Sequence, residues 1–82
     1  MSDITVTVRN TSGDFRKTTE VPTDMRLGDF RQAAQELAGL SNVPCTLLLE
    51  KNNRAVNEND SFESAGIQPN TTFILASEDE GG

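Results

Sequence analysis

The chain has no histidine, no tryptophan and no tyrosine, and only one cysteine in 82 residues. Without histidine, the side chain that most often moves protons near neutral pH is missing. The lone Cys45 therefore has no imidazole to activate it, and it cannot form an internal disulfide. It opens the apolar run "CTLLLE" and reads as a small core or edge residue. Basic residues are also scarce: seven against thirteen acids, for a net charge of −6. An acidic chain with no basic stripe repels nucleic-acid backbones and anionic lipid surfaces, so neither is an expected partner. No apolar stretch approaches the length of a membrane span, and "MSDITVTV" lacks the basic and hydrophobic segments of a secretory signal. A cytoplasmic monomer is the expectation. Acid-rich "NENDSFE" (57–63) lacks the glycine-centred spacing of a calcium loop, so no metal site is expected. With no nucleophile–base pair either, neither is an enzyme.

What is present is a patterned, single-domain chain with its four phenylalanines, Phe15, Phe30, Phe62 and Phe73, spread along it. "ITVTV" (4–8) alternates apolar residues with threonine at the period of a half-buried strand, with Ile4, Val6 and Val8 inward. "NTSGD" (10–14) carries turn chemistry, and residues 15–21 return as a second strand that Pro22 ends. In "TDMRLGDFRQAAQELAGL" the period changes. Leu27, Phe30, Ala33 or Ala34, and Leu37 make one helical stripe, Thr23 or Asp24 can cap its start, and Gly39 can end it. Gly28 is an irregularity in the first turn. "CTLLLE" (45–50) reads as a third strand with Leu47 and Leu49 on one side and Leu48 on the other. "KNNR" is a turn, and Ala55-Val56 returns briefly. The polar stretch 57–72 is pinned by Phe62 and Ile67, with Asp60 or Ser61 placed to cap a helical turn. "TTFILA" (71–76) is the last strand. The first and last strands, both rich in β-branched or aromatic residues, are expected side by side at the sheet centre. The predicted class is α+β: one main helix on a mixed sheet of four to five strands.

That order, with the segment "DSFESAGIQPNTTFIL", resembles the ubiquitin-like β-grasp family. Its C-terminal pattern falls here on Asp60, Phe62, Ile67, Thr71, Phe73 and Leu75. Upstream, Leu27 and Phe30 fall on the family's two apolar helix-start positions. The resemblance implies a body at 1–76 and a flexible acidic tail at 77–82, "SEDEGG", whose Gly81 and Gly82 coincide with the family's terminal diglycine. In conjugable members an E1-like adenylating enzyme activates the last carboxylate with ATP. The carboxylate then passes as a thioester to an E2-like cysteine transfer enzyme, reaches lysines of target proteins, and is removed by a deconjugating protease. No intrinsic cofactor is implied. Glycine suits the narrow channel because it has no Cβ to meet the walls. One residue of tail length shifts the reacting carbon by about 3.3 Å, so the matching length matters.

Departures from ubiquitin are as informative. Its exposed apolar patch falls on Thr11, Glu50, Ile74 and Ala76, and a charge at the patch centre opposes receptors built for isoleucine. Its arginine for activating-enzyme choice falls on Glu78, followed by Asp79 and Glu80, which implies a dedicated activating enzyme with a basic approach groove. Its two main chain-linking lysines fall on Arg54 and Pro69. Lys17 and Lys51 are the only acceptor lysines, and single attachment is expected. The alternatives are a sulfur carrier ending in a thiocarboxylate, which shares the fold and the adenylation, and a non-covalent ubiquitin-fold scaffold module.

Overall fold

The structure, a computed structural model, describes residues 3–77. Five strands and one helix follow in the order β1 (Asp3–Asn10), β2 (Arg16–Pro22), α1 (Leu27–Leu37), β3 (Cys45–Leu49), β4 (Arg54–Ala55) and β5 (Thr71–Ser77). They form one mixed sheet of order β2-β1-β5-β3-β4. The first and last strands are parallel neighbours at its centre, as their composition implied, and every other pairing is antiparallel.

Alternation decides which face is buried. Val6 and Val8 of β1, Val21 of β2, Leu47 of β3, and Phe73 and Leu75 of β5 point to the helix side, where Leu27, Phe30 and Ala34 of α1 meet them. Phe30, Phe62 and Phe73 pack as a triad with ring centroids 5.4, 5.5 and 5.9 Å apart, two of the contacts edge-on. Such contacts add roughly 0.5–1.5 kcal/mol each beyond the area they bury. Phe15 and Ile67 are half-buried and packed against the same core.

The helix start differs from expectation. Neither Thr23 nor Asp24 caps it: the helix begins at Leu27, with Arg26 in the N-cap position and no side-chain cap. The free N–H groups of the first turn are taken instead by a distant loop. Leu27 N donates to Asp60 O (2.9 Å) and Gly28 N to Glu58 O (3.1 Å). This also accounts for Gly28. A Cβ there would lie 3.2 Å from both the Cβ and the carbonyl oxygen of Glu58, so a bare backbone lets the loop approach. Arg31 reinforces the junction, its Nε 2.7 Å from Glu58 Oε2 as a charge contact without hydrogen-bond alignment. Phe62 N and Glu63 N donate to Met25 O and Thr23 O, closing the loop over the core.

Ser61 is the residue that caps the short turn carrying Phe62. Ser64 N donates to Ser61 Oγ (3.1 Å) and Ser61 N to Ser64 Oγ (3.0 Å), a reciprocal capping pair. At the other end of α1, Gly39 stops the helix with φ +77. Gly39 N donates to Glu36 O and Leu40 N to Gln35 O, the paired closure that a left-handed residue permits. Leu37, expected in the buried stripe, is 62% exposed. The stripe runs Leu27, Phe30, Ala34, Ala38, in steps of three and four, and Leu40 beyond the cap packs on the core in its place. Leu37 is thereby turned toward the β2 edge. Ala33 is exposed and Ala34 buried.

Candidate functional site

β5 is the element on which the C-terminal segment is mounted. It lies between β1 and β3, with Phe73 and Leu75 buried on one side, and ends at Ser77, paired with Cys45. The pairing with β1 ends at Leu75, so Ala76 and Ser77 at the base of the tail are held by β3 alone, one step beyond the residues anchored on both sides and in the core. The expected conjugation residues Gly81 and Gly82, and the expected recognition residues Glu78, Asp79 and Glu80, lie outside the described residues.

The outer face of the sheet carries the positions where ubiquitin has its apolar patch. Thr11 is exposed in the β1–β2 turn, and Ala76 is half-buried. Ile74 is only 6% exposed, although it points away from the helix. In register it is flanked by Arg9 on β1 and Leu48 on β3. Glu50, the residue at the patch centre, is ion-paired: Arg9 Nε donates to its Oε2 at 2.9 Å. Since Arg9 and Glu50 stand on opposite sides of β5, their side chains bridge over that strand. A charged pair therefore covers ground that is apolar in ubiquitin, and both charges would need desolvating under a dry partner. Sequence reasoning singled out Glu50 and missed Arg9. The signal was its outward parity on β1, two residues beyond Thr7.

Lys51 is exposed in the turn between β3 and β4, where Asn53 takes the left-handed conformation (φ 56) and Asn52 Oδ1 accepts from Arg54 N. Lys17 is exposed on β2 and lines an apolar groove between that strand and the helix, with Thr19, Val21, Phe30, Ala33 and Leu37. The two lysines are not gathered with any other expected site residue. Cys45 is half-buried, its Sγ 3.4 Å from Val43 O. Among the described residues no group of three or more His, Cys, Asp or Glu is arranged to hold a metal. Gln35, the one buried polar side chain among them, was also missed. Its Nε2 donates to Leu40 O (2.9 Å) and Val43 O (2.8 Å), and its Oε1 accepts from Arg31, which holds the helix–β3 connection in place.

Neither a protein-family profile nor any curated protein matches the chain by sequence. Solved structures do match. Ubiquitin of Caldiarchaeum subterraneum superposes with a TM-score of 0.80 at 19% identity, over 99% of this chain and 100% of that one. The ubiquitin-like domain of Plasmodium falciparum Dsk2 gives 0.76 at 15% identity, over 94% and 100%. A de novo design based on ubiquitin gives 0.74 at 20%, over 93% and 89%. The fold is the ubiquitin-like β-grasp. At these identities the likeness speaks for the β-grasp architecture alone.

Proposed function

We propose that the chain is a ubiquitin-like protein modifier. The Gly82 carboxylate attacks ATP on an E1-like enzyme, forming an acyl adenylate and releasing pyrophosphate. A cysteine thiolate then displaces AMP to give a thioester, and a target lysine amine displaces the thiolate to give an amide. The chain itself is the acyl group carried, not the catalyst, and ATP belongs to the activating enzyme. The observation that carries this reading is the end-to-end β-grasp body joined to the closing sequence "EDEGG", which begins directly after a strand fixed at the sheet centre. Five residues span at most about 17 Å when extended, a reach suited to a channel while the body stays outside.

Glu78, Asp79 and Glu80 select a dedicated activating enzyme with a basic approach, and the Arg9–Glu50 pair turns away receptors built for an apolar patch. Lys17 and Lys51 are the lysines through which self-linkage can run, with single attachment the main product. The work is placed in the cytoplasm. The test is incubation of the full chain with host extract and ATP, against a chain lacking Gly81-Gly82. High-mass adducts that require ATP and vanish on deletion are the expected result, and adducts that persist in the truncated chain would refute it. An unconjugated tail heavier by about 16 Da, one oxygen replaced by sulfur, would identify a sulfur carrier instead.

A second reading has one observation in its favour, the likeness to the Dsk2 ubiquitin-like domain. A scaffold module would keep an unmodified tail and hold its partner after Gly82 is removed.

A further inference from the structure

The sheet has two unequal edges: β4 is two residues long and β2 seven. On β2, the direction of each backbone group follows from two bonds. Asn10 N donates to Phe15 O (3.1 Å), just before β2 begins, and on the other side of β1 the Thr5 carbonyl accepts from Asn70 N (2.6 Å). In an antiparallel ladder the bonded pairs alternate, so Lys17, Thr19 and Val21 bond to Val8, Val6 and Ile4. The N–H and C=O groups of Arg16, Thr18 and Glu20 therefore point out of the sheet. Pro22 fits the same parity, since its missing N–H falls on the outward side. Thr7 Oγ1 and Thr18 Oγ1 lie 2.9 Å apart, as expected for the closer, non-bonded kind of pair.

We propose that this edge receives a second copy of the chain, two β2 strands pairing antiparallel about a two-fold axis at Thr18. The occupant is chosen by charge. In that register Arg16 stands opposite the partner's Glu20, Thr18 opposite Thr18, and Glu20 opposite the partner's Arg16. All three positions present outward backbone groups, and two opposite-charge pairs form at once. Moving the axis to Lys17 sets lysine against lysine, and moving it to Arg16 or Glu20 sets like against like. Neither Arg16 nor Glu20 has an ion-pair partner among the described residues. Arg16 also sits beside Arg9 in the β1 register, and Arg9 is already paired with Glu50. Its free side is where a carboxylate is missing. On the groove face, Lys17 and Thr19 of the incoming strand would lie beside Leu37, the exposed large apolar residue, and cover it.

A five-residue edge is far smaller than the roughly 1,200 Å² of stable complexes, so the dimer forms with a Kd on the order of 0.1–1 mM. The monomer expected from the sequence is retained at low concentration. The interface includes Lys17, one of the two acceptor lysines, but its test reads association and not adduct formation, so the two readings fail separately.

The experiment is sedimentation equilibrium of the full chain at near-physiological salt, from about 0.05 to about 2 mM, the range that brackets this Kd. Thr18→Pro removes an outward N–H that the internal ladder does not use, so the fold persists (checked by circular dichroism) while association weakens at least about tenfold. Arg16→Glu should weaken it by a similar factor, and the double variant Arg16→Glu/Glu20→Arg should restore it, because the swap preserves complementarity. A wild-type chain still monomeric at the highest concentration would overturn the proposal. So would a Thr18→Pro variant that associates normally, or a double variant no better than Arg16→Glu.

Discussion

Phe73 and Ile74 are adjacent on the central strand and both buried, yet they belong to different surfaces. Phe73 meets the helix and two other aromatic rings, in a layer where almost every side chain is apolar. Ile74 lies under a thin cover of Arg9, Glu50, threonines and Leu48 on the opposite face. The inner face is constrained by packing, where one wrong shape is felt by every neighbour. The outer face has to be only water-compatible, and so is free to carry whatever distinguishes this chain from others of the same fold. Ubiquitin's isoleucine and this chain's glutamate at one position illustrate that freedom.

Three substitutions test the division. Phe73→Ala should be the most damaging, about 3–5 kcal/mol, because it opens a cavity within the triad. Against a total stability of about 5–15 kcal/mol for a domain, urea denaturation should show a midpoint near zero denaturant or a large shift toward it. Ile74→Ala, one residue away, should cost about 2 kcal/mol, mainly the lost burial, since water can enter beneath the thin polar cover. Equal losses at 73 and 74 would mean the outer face is a second core. Glu50→Ala should cost less than about 1 kcal/mol, because the ion pair is partly solvated, with side chains 24% and 42% exposed. A larger loss would show that the pair is a structural tie over β5.

The same division explains what could be read from the letters. Strands β1 and β5 were legible because alternation and β-branched residues act locally, and both Gly39 and Asn53 took the left-handed geometry that their types favour. The turn around Phe62 was legible through Ser61, whose capping partner is three residues away. The start of α1 was not, because its caps are carbonyls of Glu58 and Asp60, thirty and thirty-three residues downstream of the N–H groups they accept from and carried by backbone that any sequence has. Gly28 was the one local sign. Leu37 was misplaced because Leu37 and Ala38 differ by a single 100° step, and a three-to-four spacing admits either. The Arg9–Glu50 pair joins residues 41 apart in sequence, and parity on β1 marks Arg9 as outward without naming its partner.

The borrowed cap also governs how the helix can exist at all. Eleven residues without a side-chain cap fall below the length at which a helix sustains itself in water. The first turn of α1 and the 57–63 loop thus stand as a single cooperative unit: when the loop lifts, the helix loses its beginning. Sequence change in that stretch would reach the aromatic triad through Phe30 and Phe62 together.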